Sequence, residues 1–155
     1  MRIGFGSDIH KLVSGRLLVL GQVSIQSPTG EQAHSDGDVV LHALADAILG
    51  ALARGDLGTH FPDTDEKYKD IVSSYFVKKV VKMMKEDGYQ IGNVDISITL
   101  EQPKLRPYIA QMRKNIADLL ETDVANVSVK AGTNEGVGPL GKGEAVKAEA
   151  IVLLK

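Results

Sequence analysis

Residues 94–100 read Val-Asp-Ile-Ser-Ile-Thr-Leu, a strict alternation of apolar and polar side chains. A period of two is that of a half-buried β-strand, which puts Val94, Ile96, Ile98 and Leu100 on one face and Asp95, Ser97 and Thr99 on the other. The second face is too polar to carry another layer of helices. The sheet containing this strand is therefore covered by helices on one side only. Its other side is wet or lined by a second subunit, which points to an oligomer.

Working outward, residues 1–10 read as a strand, with Ile3, Phe5 and Ile9 separated by small or polar residues. Leu17 to Val23 is a short apolar run suited to an edge hairpin, and Ser27-Pro28-Thr29-Gly30 marks a turn. From Asp36 to Ala53, Val39, Val40, Ala43, Leu44, Ala47, Ile48 and Ala51 recur at helical spacing, and Ser35-x-x-Asp38 fits a capping box. Gly55-Asp56-Leu57-Gly58 stops that helix, and Phe61-Pro62-Asp63-Thr64-Asp65 continues as an acidic loop. A second helix spans 71–87, basic along one side, and ends at Gly88. Beyond the opening strand come a loop at 103–107, a helix at 108–120 and a strand at 127–131. A glycine-rich loop at 132–143 and a last strand at 145–154 follow. The order β, α, α, β, α, β, β, with a terminal β-β pair, predicts an α+β fold. Its expected form is a mixed β-sheet with helices packed on one face, in a single domain over 1–155 without repeats or linkers.

Composition narrows the function. A net charge near −2 gives no electrostatic case for nucleic acid, and 5% aromatic residues with no Trp provide no stacking platform for single strands. No apolar run approaches membrane-spanning length, and the N-terminus has neither the apolar stretch nor the cleavage site of a signal peptide. Composition fits a cytoplasm or an organelle lumen equally. Cysteine is absent, so any metal must rest on imidazole and carboxylate.

Three of the four histidines fall in the first third of the chain. Asp8 and His10, two apart on a strand, share a face. His42 lies about two turns into the helix opened by Asp36, with Asp46 four residues on and placed to hold its second ring nitrogen. Three nitrogen and oxygen ligands with an open fourth position suit catalytic Zn²⁺. The alternative is a capping Asp and two satisfied histidines, and spacing alone leaves both open. His34-Ser35 at a helix N-terminus could receive a phosphate or simply cap the helix through Ser35 or Asp36. Asp56, Asp63 and Asp65 could bind a polyol or form a solvated surface. Gly136-Val137-Gly138-Pro139-Leu140-Gly141 matches GxGxxG, but it precedes a strand and the chain ends soon after, which rules out a dinucleotide fingerprint. Lys130, Thr133, Glu135, Lys142 and Glu144 around it could hold a diphosphate and Mg²⁺. Lys104 and Arg106 form a stiff basic turn between two prolines, open to a phosphate or to water. His60 has no partner in sequence.

Taken together, these residues resemble the 2-C-methyl-D-erythritol 2,4-cyclodiphosphate synthase family of non-mevalonate isoprenoid biosynthesis. The resemblance rests on Arg2-Ile3-Gly4-x-Gly6-x-Asp8-x-His10, on Ala33-His34-Ser35-Asp36-Gly37-Asp38 with His42, and on Gly55-Asp56-Leu57-Gly58. It continues through Phe61-Pro62-Asp63-Thr64-Asp65, Gly92-Asn93-Val94-Asp95, Pro103-Lys104 and the segment from Lys130 to Glu144, covering nearly the whole chain. It implies a homotrimer with active sites between subunits and release of CMP from a cytidylylated erythritol phosphate. It also implies Zn²⁺ on Asp8, His10 and His42, and Mg²⁺ or Mn²⁺ on the substrate diphosphate with help from Glu135. By the same resemblance His34 and Thr133 act on the transferring phosphoryl group. The substrate would meet Asp8, Ile9, His10, His34, Ser35, Asp56, Leu57, Gly58, Phe61, Pro62, Asp63, Thr64 and Asp65. Residues 100–106 and 131–133 would form the cytidine pocket, Leu100, Lys104, Leu105, Arg106, Ala131, Gly132 and Thr133 among them, and Asn134, Glu135 and Lys142 would make further substrate contacts. The chain departs from the family's usual pattern at Phe5, Ser7, Gly132, Pro139 and Lys142. The last two line a central trimer cavity in relatives. A metal-dependent nucleotide pyrophosphohydrolase and a non-catalytic trimeric nucleotide-binding regulator are the competing readings.

Overall fold

The computed structural model describes residues 1–33, 35–62, 68 and 71–155. Its elements are β1 (Arg2–Ser14), β2 (Leu18–Leu20), β3 (Val23–Ile25), β4 (Thr29–Glu31), α1 (Val39–Ala51), α2 (Leu57–His60) and α3 (Ser74–Glu86). They continue with β5 (Ile91–Thr99), α4 (Ile109–Leu120), β6 (Val127–Gly132), α5 (Gly138–Gly141) and β7 (Ala145–Leu154). β2 and β3 make a separate hairpin, and the other five strands form one sheet in the order β4-β1-β7-β5-β6. Only β5 and β6 pair in parallel, so the sheet is mixed, as the sequence predicts.

The alternation in β5 does what its period requires. Val94, Ile96 and Ile98 are buried against the helices, while Asp95, Ser97 and Thr99 stay partly open on the far face. Cross-strand pairing extends that far face into Phe5, Ile151 and Asp95 in one row, and Ser7, Glu149, Ser97 and Lys130 in the next. Ile3 is 73%, Phe5 58% and Ile151 50% exposed, a cluster of large apolar side chains on an uncovered sheet face.

On the covered face α1 lies directly on β1. A methyl group on Gly4 would stand 1.8 Å from the Ala47 carbonyl oxygen, and one on Gly6 2.1 Å from that of Ala43. Glycine is required at both positions because the helix backbone occupies the space of a side chain. Gly4 faces Ala47 and Ala51, and Gly6 faces Ala43 and Ala47, so helix and strand run in opposite directions. One further step brings His42 over Asp8.

The start of α1 differs from expectation. The helix begins at Val39, not Asp36, and its N-cap is Asp38. The fully buried Asp38 carboxylate accepts the N–H groups of Leu41, Gly21 and Gln22, so it caps the helix and pins the β2–β3 turn. Ser35 makes no capping box and instead accepts the Gly37 N–H at 3.1 Å. The expected turn at 27–30 is partly strand, because Thr29–Glu31 pairs with the far end of β1. The glycine-rich loop contains the single helical turn of α5, and α2 forms where only a helix stop was expected.

Candidate metal centre and active site

Asp8, His10 and His42 come together as the strand and helix periods require. Asp8 Oδ2 lies 3.1 Å from His10 Nε2 and 3.2 Å from His42 Nδ1, and the two rings meet edge to face at 5.2 Å between centroids. Each remaining ring nitrogen is occupied. His10 Nδ1–H donates to the Gly37 carbonyl at 2.8 Å, because a carbonyl can only accept. His42 Nε2 meets Ser73 Oγ at 2.9 Å, and that hydroxyl donates to Asp36 Oδ1. Asp36 also accepts the Ser73 N–H at 3.1 Å. These partners leave His10 Nε2 and His42 Nδ1 as the nitrogen donors, aimed at the same carboxylate oxygen. A closed outer shell around an inward-facing His₂Asp set fits a divalent cation with an open position, Zn²⁺ among them.

Asp46 does not orient His42, contrary to the expectation from spacing. Its Oδ1 accepts the Leu57 N–H at 2.7 Å and ties α1 to α2, with burial raising its pKa. The role foreseen for Asp46 falls to Ser73 and Asp36. The N-terminus of α1 is also not an open phosphate cradle. Glu31 Oε1 takes the Val39 N–H and Asp38 Oδ1 takes that of Leu41.

Electrostatics point the same way. Burial alone would raise the Asp8 pKa, but the hydrogen bonds of His10 and His42 hold that carboxyl well below the usual range. Burial would lower His10, but Asp8 and Glu31 outweigh it and raise the imidazole to about 10. The raised pKa favours a proton on His10 beside Asp8 in the metal-free protein. Burial also pushes Glu31 and Asp38 up to about 7.

Around this centre, Asp56 caps α2, accepting Thr59 N–H at 2.9 Å and Thr59 Oγ1–H at 2.7 Å, and those bonds lower its pKa. Phe61 is buried among Tyr68, Tyr75 and Phe76, and Phe76 reaches within 6.1 Å of the His42 ring centre. Leu57 is half-buried, while Gly58 and Pro62 are exposed. The Ile9 side chain is on the open face of β1, opposite those of Asp8 and His10, but its N–H reaches Asp8 Oδ1 at 2.8 Å. Ser35 Oγ lies 3.4 Å from His42 Nε2. His34, Asp63, Thr64 and Asp65 fall outside the described residues.

The residues expected on the nucleotide side form a second group. Leu100 N–H bonds to the Gly132 carbonyl at 3.0 Å, and Glu101 Oε1 accepts the Asn134 N–H at 2.6 Å. Thr133 Oγ1 accepts the Glu135 N–H at 3.3 Å, and Glu135 sits at a left-handed φ of 51°. Ala131, Gly132, Glu135, Lys104, Arg106 and Lys142 are exposed. The side chains of Leu100 and Leu105 belong to the core. In one chain this group is remote from Asp8, His10 and His42. Asp8 pairs with Ala148, Ala148 with Ile98 and Ile98 with Ala131, which is three strand spacings, or about 14 Å.

The YgbB family model matches residues 1–155, the whole chain. The chain belongs to the YgbB family. Among its relatives, the 2-C-methyl-D-erythritol 2,4-cyclodiphosphate synthase of Shouchella clausii is 53% identical over 155 residues, 100% of this chain and 98% of that one. That of Brachyspira hyodysenteriae is 50% identical, with the same two coverages. A solved CDP-bound form of a 2C-methyl-D-erythritol-2,4-cyclodiphosphate synthase superposes with a TM-score of 0.92 at 36% identity, covering 99% of this chain and 100% of that one. The IspF CDP complex of Plasmodium falciparum gives 0.87 at 36% identity, covering 99% and 94%. No helix among the described residues of this YgbB-family chain is long and apolar enough to cross a membrane.

Reading the sequence missed Ser73, Glu31, Glu101 and Arg16. Arg16 grips the carbonyls of Glu31, Ala33 and Ser35 at 3.1–3.2 Å. Only the Ser73-Ser74 pair opening α3 carried a local signal, a helix-start pattern.

The His10 proton yields a prediction. A cation must displace it, so apparent Zn²⁺ affinity is expected to rise about tenfold per pH unit between about pH 7 and 9. Chelator competition across that range measures it. The same proton stabilises the metal-free fold. With the pKa raised from 6.5 to about 10, that stabilisation is full below pH 6.5 and fades as pH climbs towards 10. Urea midpoints of metal-free protein should follow that trend.

Proposed function

We propose that this chain converts 4-diphosphocytidyl-2-C-methyl-D-erythritol 2-phosphate to 2-C-methyl-D-erythritol 2,4-cyclodiphosphate and CMP. The observation that carries the reading is the His₂Asp set with its closed outer shell, in a chain matched end to end by synthases of that name. An oxygen of the 2-phosphate forms a bond to the β-phosphorus as the bond from that phosphorus to the CMP oxygen breaks. The nucleophile is already anionic, so no strong general base is needed. The protein has to neutralise charge, hold the two phosphates in line and exclude water.

Asp8, His10 and His42 would hold Zn²⁺, and Glu135 would help hold Mg²⁺ or Mn²⁺ against the diphosphate. Such cations, when bound, withdraw charge from phosphoryl oxygens. Thr133 and His34 act as hydrogen-bond donors to the transferring group. Asp56 and the loop through Asp63, Thr64 and Asp65 accept hydrogen bonds from the erythritol hydroxyls. Leu100, Lys104, Leu105, Arg106 and the 131–133 backbone frame the cytidine. A cytoplasmic setting in a bacterium, or a plastid-type organelle in a eukaryote, belongs to this reading.

The active form is a homotrimer. About 14 Å separates Asp8 from Ala131, at the end of the strand that leads into the Thr133–Glu135 loop, so a complete site takes its loop from a neighbouring copy. The exposed Ile3, Phe5 and Ile151 give the open sheet face an apolar patch for association. Mixing tests this. His42→Ala and Glu135→Ala proteins, each inactive alone, are unfolded, combined in equal amounts and refolded together. About a quarter of the interfaces then join an intact metal half to an intact loop half, and activity returns to about that fraction. No recovery would place both halves in one chain.

A further inference from the structure

Glu31 on β4 is fully buried, and its Oε2 has no hydrogen-bond partner among the described residues. Its Oε1 accepts the N–H of Val39, the first residue of α1, at 3.0 Å and lies 3.6 Å from His10 Nδ1. A methyl group on Gly37, whose carbonyl receives the His10 proton, would stand 2.8 Å from the Glu31 Cβ. The residue opposite Glu31 in the sheet is Leu12, two positions beyond His10. One side chain thus touches the strand bearing Asp8 and His10, the helix bearing His42, and the turn that orients His10.

A half-satisfied carboxylate in such a place costs stability, and an apolar side chain of similar size would fill the space at less cost. The charge has a use only beside the metal ligand. Negative charge next to the non-ligating nitrogen makes an imidazole a stronger electron donor at the other. We infer that Glu31 is a positioning residue of the metal centre: through Gly37 and Val39 it fixes the plane of the His10 ring, and its charge strengthens His10 Nε2 as a ligand. The inference rests on the metal-centre reading above.

Glu31→Gln keeps an acceptor for the Val39 N–H and removes the charge, whereas Glu31→Leu removes both. Metal-free protein of each variant is titrated with Co²⁺ and with Zn²⁺ against a chelator, with the visible Co²⁺ bands recorded and urea unfolding run on the metal-free forms. The expected result is about tenfold weaker binding in Glu31→Gln and up to about 100-fold in Glu31→Leu, with altered Co²⁺ bands. The urea midpoint of metal-free Glu31→Gln stays level or rises. Affinity within twofold of the parent with unchanged bands would overturn the inference while leaving the metal centre standing, as would a lowered urea midpoint with unchanged affinity. A parent protein that takes up neither ion would overturn the metal centre, and the inference with it.

Discussion

Replacing His42 by alanine is expected to leave a folded protein that no longer retains Zn²⁺ and turns over about 10³-fold more slowly. The side chain is largely buried, but it projects from α1 at the rim of the core, and the helix is held by ten other buried residues. Loss of the imidazole removes one of three converging donors and strands the Ser73–Asp36 pair. Polarisation of a phosphoryl oxygen by a cation supplies several kcal/mol, so losing it costs about three decades in rate. Metal content and kcat, measured on the same preparation, check the prediction. Near-normal turnover in a metal-free variant would separate the chemistry from this centre.

Gly6→Ala is expected to be among the most damaging single methyl additions in the molecule. The added carbon would lie 2.1 Å from the Ala43 oxygen and 2.7 Å from the Ala47 nitrogen, both backbone atoms of α1. No rotamer relieves such a contact, so the helix must lift from the strand. Overpacking that side chains can absorb costs about 1–3 kcal/mol, and displacement of a buried helix sits at or above the top of that range. For a chain of this length that corresponds to a fall of about 6–12 °C in Tm. Lifting α1 also draws His42 away from Asp8, so residual metal affinity should fall together with stability. Gly50→Ala, in the same helix, provides the contrast. Its methyl would meet only the Phe5 oxygen, at an ordinary 3.7 Å, and should stabilise by about 0.5–1 kcal/mol. Equal Tm values for the two variants would contradict the packing described here.

What the sequence made legible was local and periodic. The alternation at 94–100 located a strand with the right faces, and the bounds 145–154 for the last strand match β7. Asp8, His10 and His42 could be grouped because a strand repeats every two residues and a helix brings successive turns onto one face. Failures came wherever a distant group overrode a local rule. The spacing of four from His42 to Asp46 is sound, but the Leu57 N–H offered Asp46 a better partner. Ser73 lies 31 residues from His42, and Glu31 is 21 from His10, so no period links either to its partner. The start of α1 was read three residues early because the choice between Asp36 and Asp38 as cap depends on the hairpin turn at Gly21 and Gln22. β4 has only three residues and includes Gly30, so its turn composition concealed a strand that exists by pairing with β1.

Cyclisation is the central claim, and the products test it directly. Purified protein is incubated with 4-diphosphocytidyl-2-C-methyl-D-erythritol 2-phosphate, Zn²⁺ and Mg²⁺, and the products are read by mass and phosphorus NMR. CMP together with the cyclic diphosphate is the expected result. CMP with a linear bisphosphate, one water heavier, would mean a pyrophosphohydrolase on this scaffold, and nucleotide binding without CMP release would mean a regulator. Either result would contradict the account.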